Sequence, residues 1–110
     1  MIVISFEKHL PADCPAGNEK ALKANMELMK KLPEFGKKYG YKVIGAWIIH
    51  GQHLGVYVFD VPSLEAIKGF ESEPETIAWR CFTTVDYQIA VTMEETQKLI
   101  ASIAVAAKVK

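Results

Sequence analysis

The run from Val43 to Asp60 constrains this chain more than any other part of it. Val43 to Ile49 and Leu54 to Asp60 are rich in β-branched and aromatic residues, and His50-Gly51-Gln52-His53 separates them. Two such runs across a short glycine-bearing turn predict a β-hairpin with two histidines at its tip. Strict alternation puts Val43, Trp47 and Ile49 on one face of the first strand and Ile44, Ala46 and Ile48 on the other. The second strand divides into Val56 and Val58 against Tyr57 and Phe59. A lone hairpin is at best marginal in water, so the rest of the chain has to extend the sheet and cover it.

Two further segments read as strands. Met1 to Glu7 alternates Ile2, Ile4 and Phe6 with Val3 and Ser5. Thr84 to Val91 alternates Val85, Tyr87, Ile89 and Val91 with Thr84, Asp86, Gln88 and Ala90. Between the first strand and the hairpin, residues 8–17 carry two prolines and a glycine and read as a loop. Asn18 then caps a helix whose apolar stripe is Leu22, Met26, Met29, Leu32, Phe35 and Tyr39. Pro33 interrupts that stripe and predicts a kink or a break, and Gly40 ends the helix. After the hairpin, Ser63 caps a short helix with Leu64, Ile67 and Phe70 inward, and Pro74 opens a further turn. Thr92-Met93-Glu94-Glu95 is a capping box for a last helix carrying Leu99, Ile100, Ile103 and Ala107, which frays near Lys108 to Lys110. The resulting order, β-α-β-β-α-β plus a C-terminal helix, is the ferredoxin-like α+β plan with a four-stranded antiparallel sheet. Strand order 4-1-3-2 is what that plan implies.

With 110 residues the chain makes one domain, residues 1–110, with one core. Thirteen basic and thirteen acidic residues cancel, so no global field favours nucleic acid. The lysines from Lys20 to Lys38 are interrupted by glutamates and read as a solvated helix face. No apolar stretch is long enough to span a bilayer and no targeting signal opens the chain. With only two cysteines, Cys14 and Cys81, free thiols in the cytoplasm are the expectation. A sheet apolar on both faces with helices over one leaves roughly several hundred Å² of apolar surface wet, a strong drive to form a homodimer. The competing arrangement folds the C-terminal helix over the open face of its own sheet.

Local strings support the same layout. His9-Leu10-Pro11-Ala12-Asp13-Cys14-Pro15, Lys31-Leu32-Pro33-Glu34-Phe35-Gly36-Lys37-Lys38-Tyr39-Gly40, Gly45-Ala46-Trp47 and the two-histidine turn resemble a small uncharacterised family of the dimeric α/β-barrel superfamily. The resemblance covers Met1 to about Leu99. It implies two ferredoxin-like sheets packed face to face as a homodimeric barrel, and it brings no catalytic residues with it. Relatives by fold include cofactor-independent quinol monooxygenases, haem-degrading monooxygenases and stress-responsive barrel proteins, an analogy that leaves function open.

In this plan the end of the first strand, the hairpin turn and the start of the fourth strand meet at one sheet edge. All three histidines and both cysteines fall there: His9, Cys14, His50, His53 and Cys81. Three readings compete. In the first, His9, Cys14, His50 and His53 bind a transition metal such as zinc, although His-x4-Cys and His-x2-His match no standard zinc spacing. In the second, the barrel binds a small organic ligand or acts on it as a monooxygenase-like enzyme. His9, His50 or Cys14 would then be the reactive group, and Trp47, Tyr57, Phe82 and Tyr87 the walls. In the third, the histidines only cap strands and fill an interface. Cys14, near a helix N-terminus, is also a candidate reactive thiol. No Ser-His-Asp, P-loop, GxGxxG, CxxC or HExxH pattern is present, which removes support from hydrolase, nucleotide-binding and dithiol redox classes.

Overall fold

The computed structural model describes residues 1–108. Four strands, β1 (Ile2–Lys8), β2 (Lys42–Ile49), β3 (Leu54–Asp60) and β4 (Thr84–Ala90), form one antiparallel sheet in the order β2-β3-β1-β4. This is the order the split βαβ plan implies. Helix α1 (Glu19–Tyr39) joins β1 to β2, while α2 (Leu64–Glu71) and α3 (Pro74–Arg80) join β3 to β4. Helix α4 (Met93–Ala106) follows the sheet.

The helix ends are built as their residues demand. Asn18 and Ser63 each accept a hydrogen bond from the backbone N–H three residues on, and Thr92 with Glu95 forms a reciprocal capping box. Gly40 closes α1 in the left-handed region at φ 70°. Of the fraying expected at the last three residues, Lys108 lies beyond α4, and 109–110 fall outside the described residues.

Helix α1 shows no break at its proline and buries a partly different stripe. The helix runs unbroken through Pro33. Pro33 and Met29 both face solvent, so the carbonyl that loses its donor is free to be hydrated. The buried residues are Ala21, Ala24, Leu28 and Phe35; of the expected stripe Phe35 is buried and Leu32 and Tyr39 pack half-buried against the core, whereas Leu22, Met26 and Met29 are exposed. Both sets have helical spacing. The alanines let α1 approach its neighbours closely, and a stripe of small residues carries a weaker hydrophobic signal than one of leucine and methionine. The same happens in α2, where Ala66 is buried and Leu64 exposed.

The core lies between the helices and one face of the sheet, where Ala21, Ala24, Leu28 and Phe35 gather around Trp79. Thr76 of α3 is fully buried there, and its hydroxyl has no partner among the described residues. Removing an unsatisfied buried hydroxyl without changing side-chain shape relieves a desolvation cost. Thr76→Val is therefore expected to raise stability by about 1 kcal/mol in urea unfolding, and a loss of that size would show that the hydroxyl is paired.

Pairing assigns the two faces of the sheet. Val3, Ser5 and Glu7 oppose Phe59, Tyr57 and Gly55 on one side and Ile89, Tyr87 and Val85 on the other, and Val3 and Ser5 are buried. Ile4 and Phe6 therefore point away from the helices, in line with Val58 and Val56 of β3. In β2 a bulge intervenes: Val43 pairs with Phe59 and Gly45 with Val58, leaving Ile44 as the extra residue. The bulge moves Val43 to the helix side with Ala46 and Ile48. Lys42, Gly45, Trp47 and Ile49 remain on the open face. The Trp47 ring lies over Gly45, in the space a Cβ there would take.

The open face is apolar across β1, β3 and β2 and polar along β4, and among the described residues no helix covers it. Trp47 is 58% exposed, and Phe6 and Ile49 are exposed beside it. Helix α4 does not fold back onto it either. It buries none of its residues, and Leu99, Ile100 and Ile103 stand in solvent. The projecting helix stretches the chain to 60 Å and its radius of gyration to 17.6 Å, against about 13 Å for a compact domain of this length. Among the described residues, no helix is long and apolar enough to cross a membrane.

Candidate functional site

The sheet edge where β1 ends carries the expected convergence. Lys8 pairs with Leu54 of β3 and with Thr84 of β4, so the hairpin turn and the start of β4 flank the same strand end. The backbone N–H of His9 donates to the carbonyl of His53 across this junction, at 3.2 Å. The loop after β1 forms a 3-10 turn over Pro11–Asp13, and Cys14 caps it by donating its N–H to the Pro11 carbonyl.

Three of the sequence candidates come together. One donor atom each from His9, Cys14 and His53 lies within 4.8 Å of the others, and all three residues are half-buried. His9 Nε2 and His53 Nδ1 are 3.1 Å apart and share a hydrogen bond, with the rings edge to face. Desolvation holds the His9 imidazole below its usual pKa, and the neighbouring His53 pushes the same way, against weaker opposition from Glu7 and Asp13. His50 does not join them. It opens the 3-10 turn of the hairpin, exposed to solvent, and gives only its carbonyl to the His53 N–H. His53 itself sits at φ 50°, a left-handed conformation that glycine adopts freely and that asparagine, aspartate and histidine adopt more often than other residues.

Beside the triad, a cleft of about 340 Å³ opens at the same edge, lined among others by Lys8, His9, Asp13, Arg80, Phe82 and Thr84. Cys81 also borders it, exposed and free, as Cys14 is free. The four aromatic wall candidates do not share one pocket. Phe82 lines the cleft, Trp47 stands on the open face, and Tyr57 and Tyr87 lie half-buried under the helices.

The helix side of the sheet holds a charged cluster that the sequence reading did not assemble. Arg80 Nη1 donates to Glu7 Oε2 at 2.7 Å, and Nε and Nη2 donate to the two oxygens of Glu71 at 2.7 and 3.0 Å. Trp79 Nε1 donates to the other Glu7 oxygen at 2.9 Å, and Arg80 also reaches Thr83 Oγ1. Burial and the two carboxylates act in opposite directions on Arg80, and the carboxylates prevail, raising its pKa. Tyr87 is pushed well above the usual phenol range, first by burial and then by the charge of Glu71. Two signals were present in the sequence. Glu7 occupies an inward position of β1 in register with Val3 and Ser5, and Arg80 is the chain's one arginine.

No protein-family model matches the chain, and neither does any curated protein sequence. Solved structures do match. An antibiotic biosynthesis monooxygenase superposes with a TM-score of 0.53 at 15% identity, covering 84% of this chain and 100% of that one. A Caulobacter crescentus CB15 protein proposed to have the same activity gives 0.52 at 16% identity, over 83% of this chain and 89% of its own. An uncharacterised NIPSNAP domain protein from Burkholderia xenovorans gives 0.46 at 10% identity, over 84% and 97%. The first two likenesses show the ferredoxin-like α+β fold.

Proposed function

We propose that this chain is a homodimeric α/β-barrel protein that binds a small organic ligand in the cleft at the histidine end of the sheet. The observation that carries the ligand reading is the cleft itself, at the edge where His9, Arg80 and Phe82 converge. Its lining sets Lys8, the His9 imidazole, Asp13 and the Thr84 hydroxyl beside the apolar Phe82 and Leu10. Such a mixture suits a small ring-bearing molecule with an anionic or hydrogen-bond-accepting substituent. That the two better-superposing structures are called antibiotic biosynthesis monooxygenases is consistent with a fold that takes small organic ligands. An oxygenation step would need its reacting groups beside the bound molecule, and His9 is the titratable candidate the cleft offers.

Dimerisation is supported by two apolar surfaces left over in one chain, the open sheet face and the stripe of α4. A 14-residue helix without tertiary packing is marginal in water, so α4 needs a partner surface. A second copy supplies both.

The ligand reading is tested by titrating ¹⁵N-labelled full-length protein with a panel of small aromatic carboxylates and phenols. Saturable shifts confined to residues 8–14 and 80–84 are expected. Shifts scattered over the surface, or none across the panel, would overturn it.

A further inference from the structure

The geometry points to a zinc site formed by His9 Nε2, His53 Nδ1 and the Cys14 thiolate, with a fourth position left for water or another ligand. Two imidazoles and a thiolate are zinc-type donors, and sites with three protein ligands keep the fourth position for water or substrate. Around a tetrahedral zinc, nitrogen donors sit about 3.3 Å apart and nitrogen and sulfur about 3.6 Å apart, from Zn–N near 2.05 Å and Zn–S near 2.3 Å. The two imidazole nitrogens are already 3.1 Å apart, and the three donor atoms span no more than 4.8 Å. Closing the set around an ion takes side-chain movements on the order of 1 Å, without rebuilding the backbone.

His9 and Cys14 come from the loop after β1 and His53 from the hairpin turn, and backbone bonds hold the two segments in place. His9 N–H is tied to the His53 carbonyl, Cys14 N–H to the Pro11 carbonyl, and Gly17 N–H to the Cys14 carbonyl. The left-handed backbone of His53, at φ 50°, turns its imidazole toward His9. Without metal the two facing nitrogens are compatible only when one carries a proton and the other accepts it. On zinc binding the donor ring shifts its proton to its outward nitrogen, so both facing lone pairs reach the ion, and the Cys14 thiol gives its proton to solvent.

This site shares His9 with the proposed ligand cleft but does not rest on ligand binding there. The two readings fail separately, because Cys14 and His53 lie outside the cleft lining. The test uses full-length protein stripped by a chelator and titrated with Zn²⁺ against a chromophoric competitor, with Co²⁺ as a spectroscopic probe. One equivalent of zinc per chain is expected, and Co²⁺ should give tetrahedral d–d bands with a thiolate-to-cobalt charge-transfer band. Cys14→Ser should abolish the charge-transfer band. His9→Ala and His53→Gly should each weaken zinc binding by roughly 100-fold or more. His53→Gly suits the local backbone, so its loss of zinc cannot be ascribed to misfolding. His50→Ala should leave affinity unchanged. The proposal is overturned by substoichiometric zinc uptake, by cobalt binding without a thiolate band, by an equal loss in His50→Ala, or by uptake of copper(I) and not zinc.

Discussion

Arg80→Ala is expected to destabilise the chain by about 3–5 kcal/mol, the cost of removing one partner from a buried ion pair and leaving charge behind. The argument rests on position. Arg80 is 17% exposed, and its fork engages Glu71 through two bonds while reaching Glu7 with a third. Glu7 hangs from β1, Glu71 from the end of α2, and Arg80 closes α3, so one guanidinium joins the sheet to both helices. Without it, two carboxylates face each other under the helices with only the Trp79 indole N–H and solvent to compensate. Arg80→Lys keeps the charge but loses the planar fork, and should recover only part of the deficit. Removing the carboxylates as well, with Glu7→Gln and Glu71→Gln added to Arg80→Met, should restore stability toward wild type, because no uncompensated charge remains. Urea unfolding checks the series. A loss under about 1 kcal/mol for Arg80→Ala would show the cluster to be solvated like an ordinary surface bridge.

Trp47→Lys is the second large effect, and it should fall on association and not on folding. Trp47 lies on the open face, its ring over Gly45 and opposite Val56, outside the chain's own core. Aromatic anchors at the centre of an interface are commonly worth about 2–4 kcal/mol, or roughly 30- to 1,000-fold in dissociation constant. The substitution should therefore turn a dimer at micromolar concentration into a largely monomeric protein with unchanged secondary structure. Thr84→Lys, on the same face but at the polar β4 edge, should do far less. Sedimentation velocity of the two variants distinguishes the outcomes, and equal behaviour would remove Trp47 from the interface.

The elements that depend on local chemistry were legible from residues alone. Asn18, Ser63, Gly40 and the Thr92–Glu95 box cap as their residue types require, and the hairpin with its neighbouring strands fixes the topology. What was not legible depends on long-range contacts. The bulge at Ile44 reverses Val43 to the helix side, and nothing in Val43-Ile44-Gly45 announces which residue will be extra. The α1 stripe was assigned to leucine and methionine because alanine contributes little signal, although close helix packing prefers it. The site shows the same division. The topology brought His9, Cys14 and His53 to one edge, whereas His50 and His53 are equally spaced candidates until the left-handed turn turns only His53 inward. The Arg80 cluster spans from residue 7 to residue 80, and its partners become visible only once α2 and α3 are placed over β1.

The proposed homodimeric barrel rests on the claim that the uncovered sheet face and α4 are completed by a second copy of the chain. Multi-angle light scattering on the full-length protein at micromolar concentration tests it most directly. The expected mass is twice the 12.3 kDa of one chain. A mass of one chain at that concentration would contradict the account.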